Sequence, residues 1–198
     1  MKYLILTLAY LSVLYPLWVW YQGASLVPDR TIIFEIFPAL GLLAFVIMWL
    51  HIVGGALRGW LGQYIDFDKF VASSSALVLV LLILHPALLL LGIGKPSQWG
   101  LVFRFNDARL IWIAIVAWLI FIAYDLAKRH KAREFFIKHW GIIKLVSTLG
   151  FFLILAHSLG LGRDLQEGPL RVIWMIYGIT AALAAIYTYG VKRILRKE

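Results

Sequence analysis

Few side chains in this sequence could hold a metal or move a proton. Cysteine is absent, which excludes disulfides, thiolate catalysis and cysteine-ligated zinc or iron–sulfur sites. Any metal or cofactor must rest on histidine, carboxylate, methionine or tyrosine, and there are five histidines. His85 stands in the run LVLVLLILHPALLLLG, where no other residue after Ser75 is polar. His157 stands in a similar setting, LGFFLILAHSLGLG. A polar ring in such surroundings is costly unless partnered, so each is a candidate functional residue; the plainer reading is a ring hydrogen-bonded to a neighbouring helix. His51, His130 and His139 have more polar neighbourhoods.

The elements that carry these residues follow from composition. Of 198 residues, 63% are apolar and 15% charged, with a mean hydropathy of +0.88. Soluble domains are about half apolar and about a quarter charged. A soluble enzyme, a disordered tail and a coiled coil are excluded, and an outer-membrane barrel is disfavoured because its strands alternate polar and apolar residues. A spanning helix needs about 20 apolar residues. Six segments qualify, roughly 3–22, 32–57, 70–92, 109–127, 140–161 and 170–190. Their short connections predict one compact all-α domain over 1–198. The first segment is longer than the apolar part of a signal peptide and lacks a clean cleavage site, so it reads as a retained helix.

The net charge of +9 would point to nucleic acid in a soluble protein. Here it follows the positive-inside rule, and no nucleic-acid partner is expected. Six spans put both termini on one face. Of the 19 Lys and Arg, thirteen share that face, from Lys2 and Arg58 through the basic 128–144 stretch to the tail. The opposite face carries Arg30, Lys95, Arg104, Arg109, Arg163 and Arg171. The termini are therefore expected to be cytoplasmic. Trp60 and Trp140 suit the inner interface and Trp20 and Trp99 the outer one, and most of the nine tryptophans are expected to face lipid.

Depth then relates two of the histidines. His85 lies fifteen residues beyond Phe70 and His157 sixteen beyond Gly141, on segments running the same way. At 1.5 Å per residue both are about 23 Å up, in the outer half of a core about 30 Å thick. A haem standing on edge between two helices needs one imidazole on each face at equal depth, which makes His85 and His157 candidate iron ligands. Zinc would need two further ligands, and none stands at this depth. Ser73, Ser74, Ser75, Gly150, Gly160 and Gly162 either leave room for a flat guest or let helices approach closely. Pro86 should kink its helix beside His85. His51 lies about 9 Å above the inner boundary, too low to join the pair, and reads as structural or cytoplasm-facing. His130 and His139 belong to the basic loop. Haem propionates would point to the outer interface, where Arg163, six residues beyond His157, is expected to meet one. The plainer reading of the outer cations is pairing with Asp107, Asp164 and Glu167.

With the histidines placed, the pattern resembles the ferric reductase-like transmembrane domain superfamily. That superfamily includes the NADPH oxidase membrane domains, the six-transmembrane metalloreductases and the haem subunit of the periplasmic methionine sulfoxide reductase system. The resemblance covers nearly the whole chain: six helices, the LLILHP segment ending at Pro86, and WGIIKLVSTLGFFLILAHSLGLG from Trp140. Two-haem members carry two histidines on each of helices 3 and 5, about thirteen residues apart. His85 and His157 match the outer positions. Val71 and Lys144 stand where the inner histidines would be, so the resemblance implies a single haem b. Lys144 meets either a flavin phosphate or lipid headgroups. No G-x-G-x-x-G fingerprint follows a strand, so a nicotinamide-binding domain is not expected within these residues.

The expected function is a b-type cytochrome, the electron-transfer membrane component of an oxidoreductase, in the bacterial inner (plasma) membrane. The donor would be a cytoplasmic flavin reductase or quinol, with flavin a candidate cofactor on that side. The acceptor would be a metal ion, oxygen or a partner reductase outside. The alternative is a cofactor-free membrane interaction or assembly protein whose histidines are only hydrogen-bonded.

Overall fold

The computed structural model describes residues 1–28, 32–105 and 107–195, without the side chains of Phe105, Arg193 and Leu195. Arg30, Arg196 and Lys197, which enter the charge count above, lie outside the described residues. Six long helices dominate: α1 (Lys2–Gly23), α2 (Ile32–Ala56), α3 (Phe67–Ile93), α4 (Ala108–Arg129), α5 (Glu134–Leu161) and α6 (Gly168–Ile186). The last continues through a π-helical turn, Tyr187–Val191, into a final turn at Lys192–Leu195. Among the described residues there is no strand. All six helices are long and apolar enough to cross a membrane, and the protein is an all-α integral membrane protein whose outer surfaces meet lipid.

Polar residues set the helix ends. Asp66 caps α3 by accepting from the Lys69 amide, and Asp107 caps α4 by accepting from the Arg109 amide. Gly94, at φ 100°, terminates α3 in a conformation that glycine adopts readily. Lys192 donates to the carbonyl of Ala56, the last residue of α2, placing a cation at the negative end of that helix. The largest difference from the expected spans is α5, which starts at Glu134 rather than near 140. Its first turns, EFFIKHW, mix charge with apolar side chains, so they fail a hydropathy criterion while remaining helical.

Helix α2 is central and packs against α1, α3, α5 and α6, while α4 and α5 form a close antiparallel pair. Between α3 and α5 there is hardly any direct packing. Phe45 stacks between Phe151 (4.6 Å between centroids) and Trp174 (4.3 Å), and the buried Leu42, Leu81 and Ala117 belong to the same cluster. Lipid is as apolar as these side chains, so dispersion and close fit hold the helices together. Gly150 and Gly160 serve that fit: a Cβ on either would come within 3.0 Å and 2.3 Å of Ile120 and Leu110 of α4. They admit the neighbouring helix.

Two helix-interior prolines show how the bundle satisfies backbone polarity without water. Proline lacks an N–H and frees the carbonyl four residues earlier. Pro86 frees Leu82, and the Trp118 indole of α4 donates to that oxygen at 2.9 Å. Pro16 frees Ser12, and the Tyr177 hydroxyl of α6 donates to it at 3.2 Å.

Candidate functional site

His85 and His157 are held in the same way. The Nδ1 of His85 donates to the Phe37 carbonyl of α2 at 2.7 Å, and the Nδ1 of His157 donates to the Leu110 carbonyl of α4 at 3.1 Å. A carbonyl only accepts, so each bond puts a proton on Nδ1, which in the neutral ring leaves the lone pair on Nε2. No hydrogen bond among the described residues engages either Nε2. A second-neighbour acceptor behind a histidine is the arrangement that orients an imidazole for a metal.

His85 is eight residues from the end of α3 at Ile93, and His157 four from the end of α5 at Leu161, so their depths differ by about one helical turn. Their acceptors, Phe37 and Leu110, lie near the starts of α2 and α4 on the same side of the bundle. Both rings are thus in the half of the membrane away from the termini. Inward of them the bundle is closed by the buried Leu42, Leu81, Ala117 and Phe151.

Gly41 forms the bed of His85. A Cβ there would lie 2.9 Å from the ring carbon Cε1 and 3.0 Å from Nδ1, while the Phe37 ring packs at 5.2 Å between centroids. Neither Gly41 nor the Phe37 carbonyl stands out by residue type; a glycine one turn from a helix-interior proline, in FPALG, is the available signal. Beyond His85 an apolar recess of about 440 Å³ opens between Phe34, Phe37, Leu89 and Gly92. Its walls come from α2, α3 and the following connection and include nothing from α5, so it is distinct from the space between the histidines.

A bis-histidine haem fits this donor set: two neutral imidazoles with oriented Nε2 atoms, on helices that hardly touch. No three of His, Cys, Asp and Glu converge as a metal group among the described residues.

His51 differs. Its Nε2 is bonded to Ser74 of α3 at 2.8 Å, and the ring sits edge-on to Phe70 at 5.5 Å. Ser74 partners His51, and Ser73, Ser74 and Ser75 all return their hydroxyl protons to carbonyls of α3 itself. His139 bonds Phe135 of its own helix. Thr148 donates to the Lys144 carbonyl and shares a 2.9 Å hydrogen bond with Tyr189 from the π-helical turn.

Arg163 is engaged by two carboxylates, Glu35 at 2.9 Å and Asp164 at 3.3 Å. They strengthen its hold on its proton, Glu35 most of all. Glu35, at the start of α2, was not among the partners expected for the outer cations. Arg109 pairs with Asp107, and Arg171 donates to the Leu165 carbonyl. Trp18, Trp60, Trp99 and Trp112 are exposed, whereas Trp20, Trp49, Trp118 and Trp174 each donate across helices, to Glu35, Thr180, Leu82 and Ser158.

The chain matches no family model, no curated protein and no solved structure.

Proposed function

We propose that this protein is a membrane-bound b-type cytochrome that binds one haem between His85 and His157 and passes electrons across the bilayer. The observation that carries the reading is the shared anchoring of the two rings, each with Nδ1 on a backbone carbonyl of a neighbouring helix and Nε2 left for a metal. When bound, haem iron with two imidazole ligands supplies one-electron chemistry. The chain's own residues hold the rings, keep water out and set the local charge. The Phe37 and Leu110 carbonyls fix ring orientation and raise imidazole basicity. Leu42, Leu81, Ala117 and Phe151 seal the inward side, keeping the site at low dielectric. Arg163 supplies positive charge near the opposite interface, shared with Glu35 and Asp164.

On this reading the chain is similar to single-haem members of the ferric reductase-like superfamily, with termini in the cytoplasm and the site in the outer half of a bacterial inner membrane. The donor is a flavin reductase or quinol on the inner side. The acceptor is a metal ion, oxygen or a partner reductase outside. The absorption spectrum of protein from haem-replete cells, with a pyridine haemochrome assay, tests it: a sharp reduced b-type spectrum at one haem per chain is expected. A stable colourless preparation overturns it. That result would favour a cofactor-free interaction protein, a reading that also draws on both rings being hydrogen-bonded already.

A further inference from the structure

We propose that the recess at the face carrying the termini binds a zwitterionic phospholipid headgroup with a primary ammonium, as in phosphatidylethanolamine. The recess measures about 710 Å³ and lies between the start of α1 and the segment joining α2 to α3. Lys2 and Arg58 supply cations, Asp66 and Asp68 carboxylates, and Leu6 and Phe67 an apolar wall. Its position at the ends of two spanning helices puts it at headgroup depth, with the apolar wall where acyl chains begin.

The charges select the ligand. Most of this face is strongly basic, which attracts anionic lipid in general. The recess is balanced instead, with two cationic and two anionic side chains. Arg58 pairs with Asp68, and both are well exposed, so each keeps polar atoms for a ligand. Asp66 spends one oxygen on the Lys69 amide and keeps the other. Lys2 has no ion-pair partner among the described residues. A phosphate beside Lys2 and Arg58 leaves its attached ammonium within the same recess as Asp66 and Asp68. The headgroup of phosphatidylglycerol keeps the phosphate but has no cation to set against these carboxylates, and a trimethylated ammonium offers them no N–H.

Native mass spectrometry of the full-length chain with equimolar phosphatidylethanolamine, phosphatidylcholine and phosphatidylglycerol of identical acyl chains tests this. Phosphatidylethanolamine adducts should lead. Asp68→Asn should cut that lead over phosphatidylcholine by about two- to fivefold, the range expected for an exposed charge pair. Lys2→Gln, at an exposed terminal position that no packing depends on, should weaken both zwitterionic lipids together. Equal occupancy by the three lipids, a lead for phosphatidylglycerol, or an unchanged lead in Asp68→Asn overturns the proposal. Inorganic phosphate separates the sources of the phosphate group: thermal protection by millimolar phosphate matching that by the lipid makes the recess a free-phosphate site and also overturns it.

Discussion

Two histidines in one half of the bundle and one in the other are partnered in opposite ways. His85 and His157 are tied through Nδ1 to backbone carbonyls, leaving Nε2 outside any hydrogen bond among the described residues. His51 is tied through Nε2 to the Ser74 hydroxyl, whose own proton goes to the Phe70 carbonyl, so that Nε2 donates. All three rings satisfy the rule that intramembrane polar groups find partners. The difference is which nitrogen is used. A carbonyl behind Nδ1 fixes both tautomer and direction, whereas a hydroxyl on Nε2 occupies the atom a metal would take. Sequence context alone ranks these histidines by the polarity of their neighbours; geometry separates them by chemistry.

The strongest way to break this contrast is to remove each ring. His85→Ala and His157→Ala should each abolish stable haem binding, read as loss of the reduced b-type absorption, while His51→Ala should keep most of it. Retention in His157→Ala with loss in His51→Ala would invert the assignment. Gly41→Ala comes next. Its methyl group would lie 2.9 Å from the His85 ring, so the ring must leave the Phe37 carbonyl or the helices must part. Overpacking of this kind costs about 1–3 kcal/mol. Lower haem occupancy and a lower unfolding midpoint are expected, with the His51–Ser74 contact undisturbed.

A smaller effect is expected at Arg163, whose side chain is 47% exposed and therefore partly screened. Arg163→Gln should lower the haem midpoint potential, because a cation that stabilises the added electron is lost and Glu35 is left uncompensated. Glu35→Gln should raise it. Slower acceptor reduction in Arg163→Gln should be more marked at low salt than at high salt. Equal potentials in all three proteins would leave Arg163 as a tether between the 163–165 turn and α2.

The smallest effect concerns acid. Asp107 caps α4 three residues before Leu110, whose carbonyl holds His157. The Arg109 side chain holds the Asp107 carboxyl below the usual carboxylate range. A carboxyl lowered on folding adds stability that is complete above its unfolded pKa of about 4 and is lost as pH falls through the folded value. Amide exchange in the first turn of α4 should therefore rise only below that ordinary range. Asp107→Asn, which keeps a capping oxygen but does not titrate there, should flatten the response.

The six spans were legible because about 20 apolar residues in sequence have few alternatives to crossing a membrane. Ends were less so: EFFIKHW extends α5 with residues that read as loop by hydropathy. The equal depth expected of His85 and His157 holds only to within about one helical turn, because counting from the hydropathy-defined starts misses where α3 and α5 begin and end. Which carbonyl each ring would meet was not legible, because backbone oxygens carry no sequence label. Of the two readings open for Gly150 and Gly160, space or close approach, sequence could not choose for a related reason: a glycine does not say what stands against it, and here it is Ile120 and Leu110.

The proline clasps bear on how the chain is made. Pro86 leaves the Leu82 oxygen waiting until Trp118 of the next span arrives, so the third and fourth helices complete one another soon after synthesis. The Ser12 oxygen waits far longer, because its donor, Tyr177, lies 165 residues later in the sixth span. Until α6 is in place the first helix carries an unmet acceptor in the bilayer, and the hydroxyl of Tyr177 removes it, so the first and sixth helices are tied by a bond that no nearer part of the sequence supplies.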